Sequence, residues 1–322
     1  MVPYETLATE MTTDFAVRSR LTGSKALFGK AANFLAAFIP GQLFLIYSKD
    51  SPTPFLLTGI IYAAIMCAAM LALYLTSWER PVHEVVQERT NSLWESLKKL
   101  CVDMASTFHL KIFRKHLGMY LLGFGAEWLF TAAFTYFIIF ALGQDKHIVA
   151  YLNSFSSVMQ LISTLAFIGI CIKMGFARPY RIALTVVCVS VMAYAALYFL
   201  GWSQQVTVIA LFAITVVFGL STGGVYYIPW TVYTFLADVD EVLTGRRREG
   251  IYAGAMTFAG KLTRSVVVFG MGWTLSQFGF LSGQATQPTG AVHAIVGVFS
   301  LGVIGLALGG IYYTTQMKLD RG

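Results

Sequence analysis

The sequence predicts an all-α membrane protein with eight full spanning helices and the end of a ninth, and three observations carry that prediction. First, 57% of the 322 residues are hydrophobic and only 12% are charged, with a mean hydropathy of +0.66; soluble domains carry about a quarter charged residues. Second, eight apolar stretches, near 25–47, 55–76, 118–142, 148–172, 182–201, 206–229, 251–280 and 291–314, match the ~20 residues that cross a bilayer. Third, of 23 Lys and Arg, 19 fall in alternate connections (9–30, 77–117, 173–181, 245–250 and the tail after Tyr313). Only Lys49 and Lys146 fall in the opposite set. That asymmetry places the basic loops and the C-terminus on the cytoplasmic side of the membrane. The net charge of +7 therefore reports orientation in a lipid bilayer, and no nucleic-acid partner is implied.

Stretches of this length, with 29 glycines in the chain, fit helices rather than barrel strands that alternate over about 10 residues. Residues 1–8 read as the end of a helix and 9–24 as a polar cytoplasmic turn. Two spans then form a hairpin around Lys49-Asp50-Ser51-Pro52, the first with a kink or unwinding point at Pro40-Gly41. The connection 77–116 carries Leu93, Leu97, Leu100 and Met104 at helical spacing opposite Glu95, Lys98, Lys99 and Asp103. It reads as an amphipathic helix on the inner membrane face. Six spans joined by short turns complete the chain. Three regions result: 1–76, a remnant of a first bundle; 77–116, a cytoplasmic linker; and 117–322, a six-helix bundle.

Lys261, with Arg264 one turn further on, lies deep within an apolar stretch. A charge there costs at least about 3 kcal/mol unless it meets a wet cavity or an opposite charge. Glu127 lies about as deep in its own span, as a counter-charge for Lys261, a proton carrier, or a partner in a helix-interface hydrogen bond. Tyr226-Tyr227-Ile228-Pro229-Trp230 sets aromatic faces beside a helix-opening proline, suited to sugar C–H surfaces or to an interfacial belt. In the loop 237–250, Asp238, Asp240 and Glu241 precede Arg246, Arg247 and Arg248. Such a loop either exchanges ion pairs with neighbouring turns or is a solvated topogenic segment. Gly219-x-x-x-Gly223 and Gly305-x-x-x-Gly309 are packing signals. The four cysteines show no paired spacing, the five histidines no ligand pair, and no nucleophile–base pair suggests an enzyme; no cofactor or metal is expected.

Two motifs carry a resemblance. Val2-Pro3-Tyr4-x-x-Leu7-x-x-Glu10-Met11-Thr12-x-Asp14-x-x-x-Arg18-x-Arg20-Leu21 resembles the segment after the fourth helix of the glycoside–pentoside–hexuronide:cation symporters, the melibiose permease family. Asp240-Glu241-x-x-Thr244-Gly245-x-Arg247-Arg248-Glu249-Gly250-Ile251-Tyr252, followed by Phe258-x-x-Lys261, is similar to that family's segment between helices ten and eleven. The resemblance implies a major-facilitator helical bundle, of which this chain would hold helices five to twelve and the end of four. It also implies symport of a sugar or glycoside with Na+ or H+ by alternating access. Lys261 matches the family's helix-eleven lysine near the sugar, Trp230 falls close to its helix-ten tryptophan, and Lys25 stands where an arginine is usual. Met1 falls where a sugar-contacting residue is often found, and the family's coupling acids belong to helices absent from this sequence, so a fragment is expected. Substrate contacts are thus expected from Lys25, Glu127, Tyr226, Trp230 and Lys261. A cytoplasmic gate is expected from Asp14, Arg18, Arg20, Asp238, Asp240 and Arg247. Carriage of a lipid or other organic solute, or a non-transporting membrane fragment, is the alternative.

Overall fold

The computed structural model describes residues 11–46 (13 apart), 52–77, 94, 98, 102, 104–244, 249–284 and 286–317. The helix end read at 1–8, the turn Lys49-Asp50-Ser51, most of the amphipathic linker, and Arg247 lie outside the described residues. Helix α1 (Phe15–Ile46) pairs with α2 (Thr53–Thr76) as the expected hairpin. Helix α3 (Lys111–Tyr136) runs into a π-helical turn, Phe137–Ala141, and α4 (Lys146–Met174), α5 (Ala177–Leu200), α6 (Gln204–Thr244) and α7 (Glu249–Gln277) follow. The last rod is α8 (Thr289–Gly297), a second π-helical turn (Val298–Gly302) and α9 (Val303–Thr315).

A helix covers each of the eight apolar stretches, but among the described residues only six rods are long and apolar enough to cross a membrane. The other two are α1 and α7. At 32 and 29 residues they have the length; Lys261 and Arg264 lower the apolarity of α7, while the cations of α1, Arg18, Arg20, Lys25 and Lys30, all sit in its first half. Both are helices on which site residues were expected. Helix α1 stays helical through Pro40-Gly41, so no unwinding occurs there.

Short connections join the helices from α3 onward, and the most extensive packing is between non-sequential rods, α4 on α6 and α3 on α9. Gly175 (φ 79°) follows α4 and Gly201 (φ 57°) follows α5, both in the positive-φ backbone that lets a chain leave a helix sharply. Lipid tails are as apolar as leucine, so close approach rather than hydrophobic exclusion holds such helices together. The α4–α6 pair follows that rule. A Cβ on Gly219 would come within 2.6 Å of Met159 Cβ, and one on Gly223 within 2.6 Å of Ser163 Oγ. The second small-residue motif is only half used: Gly309 meets Leu122 at 2.9 Å, whereas Gly305 faces open space.

Helix α3 lies at the centre, against α6, α7 and α9. Its π-helical turn meets that of the last rod, where fully buried Phe137 and Phe299 stack with centroids 4.3 Å apart and planes 8° from parallel. Helix α1 docks on α4 and α6. Helix α2 has Pro54 as its only buried residue among those described, so its apolar side chains face outward.

Candidate functional site

Two polar centres lie one above the other between α1 and α6. The lower is built on a register that alternates along both helices. Arg18 is fully buried; its Nε and Nη2 donate to the Thr12 carbonyl at 3.0 and 2.6 Å. Its Nη1 donates to the Thr234 carbonyl at 3.1 Å and pairs closely with Asp238 Oδ2, while Nη2 reaches Asp238 Oδ1 at 3.3 Å. The guanidinium also lies 5.2 Å from the centroid of the Phe235 ring. One turn along α1, the Thr22 and Thr231 hydroxyls meet at 2.9 Å, and Tyr227 OH donates to the Ser19 carbonyl at 3.0 Å. Gly23 completes the seam, because Ile168 of α4 occupies the space a Cβ would need. A buried guanidinium is tolerable only when its five donors are filled, and this one is clasped by two carbonyls and a carboxylate.

Among the other expected gate residues that are described, two have different surroundings. The Asp14 carboxylate accepts the Val17 N–H at 2.8 Å and so caps α1, and Arg20 is exposed. Asp240 is fully buried. Of the set, the structure brings together Arg18 and Asp238.

The upper centre lies about two helical turns away. Trp230 is eight residues before Asp238 and Lys25 seven after Arg18, about 10–12 Å at 1.5 Å per residue. Here Lys25 Nζ sits 5.6 Å from the centroid of the Trp230 ring, a cation–π contact. Tyr226 OH donates to Glu127 Oε1 at 3.2 Å, and the Glu127 side chain is buried. Rings from α3 join those of α6: Tyr120 meets Trp230 edge-on at 5.8 Å, and Phe124 meets Tyr226 at 5.2 Å. Trp128 packs on Phe124 at 5.5 Å. The centre thus combines a cation, a buried carboxylate, phenols and indoles within one aromatic frame.

Lys261 stands apart from it. The residue that α7 turns into the frame is its neighbour Gly260, whose missing Cβ leaves room for Tyr120 OH and for Trp128 at 3.4 Å. Lys261 is exposed on the flank of α7, beside the also exposed Arg264, and makes no ion pair among the described residues. Of the alternatives for Glu127, the counter-charge relation to Lys261 is therefore corrected: the carboxylate accepts a hydrogen bond from Tyr226 across a helix interface. Lys25, Glu127, Tyr226 and Trp230 are brought together.

Sequence reasoning missed Tyr120 and Phe124, and the threonine ladder of the lower centre. The signal was present. Tyr227, Thr231, Thr234 and Asp238 repeat at intervals of four, three and four on an apolar helix, which marks one polar stripe. Tyr120, Phe124 and Trp128 form an i, i+4, i+8 aromatic row.

Helices of this length and apolarity, packed through glycines around two polar centres, define a multi-pass membrane protein. Residues 1–321 match the family model described as MFS/sugar transport protein, and the chain belongs to that family. It is also similar to a protein of Synechocystis sp. that bears the name uncharacterized symporter, at 31% identity over 85 residues. That alignment covers 26% of this chain and 16% of the relative.

Proposed function

We propose that the chain works in cation-coupled symport of a sugar or glycoside by alternating access, as a relative of the glycoside–pentoside–hexuronide:cation symporters. The single observation that carries this is the upper centre. Lys25 and the tyrosine hydroxyls offer donors, Glu127 an acceptor, and Trp230 and Trp128 the faces on which sugar C–H groups pack. The family match and the symporter name of the Synechocystis relative support the class; coupling to Na+ or H+ rests on that name and on the motif resemblance. Helices α1 and α7 cross the bilayer in this reading, their charges facing the solute path rather than lipid. Lys261 and Arg264 then approach the solute from the α7 side.

The lower centre supplies the gate. With the basic loops inside, the Arg18–Asp238 clasp closes the path on the cytoplasmic side by holding α1 to α6. Opening inward requires the clasp to break and its groups to hydrate. That makes the step a discrete two-state event in which solute and ion bias the balance through their own differential binding.

Purified protein in nanodiscs, titrated with a panel of monosaccharides and glycosides with and without Na+, tests the reading through quenching of Trp230 and Trp128. A saturable response that Glu127→Gln or Trp230→Phe weakens at least tenfold is expected. Lysolipid competition in place of any sugar response would overturn the sugar assignment.

A further inference from the structure

The end of the bundle away from the Arg18–Asp238 clasp holds a cavity that the scheme above leaves unused. Its volume is about 670 Å³, and it lies between the end of α3, the start of α4 and the loop after α7. We propose that this cavity is a second, peripheral binding site for a polyhydroxylated sugar ring. The inference rests on the sugar reading above and extends it to a docking step before the central site.

Both walls are built. On one side the π-helical turn, closed by Leu142 N–H donating to the Phe137 carbonyl at 3.1 Å, ends α3 with one residue more than an α-helix would use. Such turns occur frequently at functional sites. The Gln144 N–H then folds back to the Ile138 carbonyl at 3.0 Å, which sets the Gln144 side chain into the cavity wall at 5% exposure. Its Oε1 has no hydrogen-bond partner among the described residues. On the other side, Gly279 and Gly283 turn the loop at φ of 78° and 80°. The side chain of Gln287 staples it, accepting from the Leu281 N–H at 2.9 Å and donating to the Leu281 carbonyl at 2.8 Å.

The chemistry of the lining selects the ligand. Tyr136 and Phe140 each meet Phe280 edge-on, at 5.5 and 5.6 Å, giving a three-ring apolar surface. Lining the same space are Gln144, the Asp145 carboxylate, and the His147, Ser282 and Gln284 side chains. The Asp145 carboxylate accepts only, while the amides, the hydroxyl and the imidazole accept or donate, and a hydrogen bond made here is worth about 0.5–1.5 kcal/mol net, more to a charged group. A ligand with neighbouring O–H donors on one edge and a C–H face on the other satisfies both halves at once. A sugar ring is that ligand, and the volume lies within the range of small-molecule sites. Tyr136 lies nine residues beyond Glu127, about 13 Å along α3, so both sites can be occupied together.

The test is protection of a cysteine introduced as Ser282→Cys, with the four native cysteines replaced, in the full chain reconstituted into liposomes. The reagent is a membrane-impermeant maleimide. The probes are glucose, galactose, xylose and their methyl glycosides, with choline as the cationic comparison. At about four times its dissociation constant a bound sugar leaves a fifth of the sites free, so labelling slows about fivefold. Protection should persist in Glu127→Gln. It should vanish in Gln144→Leu and in Phe280→Ala, while both variants keep the tryptophan response of the central site and so report themselves folded. Three results overturn the proposal: no protection by any sugar while the central tryptophans respond, protection that disappears with Glu127→Gln, or protection by choline alone. If neither site responds to any sugar, the central assignment fails with it, and the tryptophan titration records that separately.

Discussion

Replacing Arg18 by methionine tests the clasp most directly. Methionine keeps much of the apolar stem but removes every donor that now reaches the Thr12 and Thr234 carbonyls and the Asp238 carboxylate. Removing one partner of a buried pair costs about 3–5 kcal/mol. The Asp238 side chain is 34% exposed, so it regains part of its hydration and the lower end, about 3 kcal/mol, applies. At about 1.4 kcal/mol per decade, undocking of α1 from α6 becomes roughly 100-fold more frequent. Thr22 reports it, since its hydroxyl is sealed against Thr231 and its exposure is 8%. In a background without native cysteines, a single Thr22→Cys reacts with maleimide only when the seam is open, so its rate follows the open fraction. The expected acceleration is about 100-fold for Arg18→Met and a smaller one for Asp238→Asn, which keeps a neutral acceptor. The double variant Arg18→Met with Asp238→Asn should fall well below the product of the single effects. An acceleration under threefold for Arg18→Met would refute the clasp and leave apolar packing around Gly23 as what holds α1.

Further predictions address packing and the upper centre. Gly223→Leu forces a side chain into Ser163 and the Thr164 backbone, whose nearest atoms stand at 2.6–2.8 Å. It should cost at least about 3 kcal/mol, read as loss of monodisperse protein or a large drop in Tm. Tyr226→Phe strips a hydrogen bond from the buried Glu127 carboxylate; a loss of about 1–3 kcal/mol in thermal stability is expected, with partial recovery on adding Glu127→Gln. His116 is fully buried with neither ring nitrogen partnered among the described residues. His116→Phe should therefore leave Tm unchanged or raise it, and a drop of several degrees would show that the ring meets a partner.

The positions of the helices were largely legible in the sequence, because each apolar stretch is long and its ends are marked by charge or glycine. Apolarity was less legible. Helix α7 looks like a span by length, yet Lys261 and Arg264 lower its apolarity. The upper site was legible where a polar side chain interrupts an apolar run, as at Glu127. Lys25, at the start of its apolar stretch, was reached only through the family resemblance, and rings in an apolar context were illegible: Tyr120 and Phe124 look like core until Trp230 and Tyr226 are seen against them. The Glu127–Lys261 expectation failed for a geometric reason. Depth in the bilayer says nothing about azimuth, and a rotation of one residue, some 100° about a helix axis, puts Gly260 rather than Lys261 against α3. Arg18 and Asp238 were both legible as gate candidates; that they would pair with each other, with Asp14 spent on a helix cap, was not.

The paired π-helical turns carry a consequence of their own. Each slips a supernumerary residue into its rod, so the segments on either side are phased about 100° apart from where an unbroken α-helix would set them. Excising one residue from Phe137–Ala141 would screw Gln144 and Asp145 around to a different azimuth while leaving Glu127 and Trp128 unmoved. The stacked Phe137–Phe299 pair acts as a collar at that level. Above it the mouth of the bundle can drift by single-residue insertions and deletions, and below it the register stays fixed by aromatic and ionic contacts that tolerate no such shift.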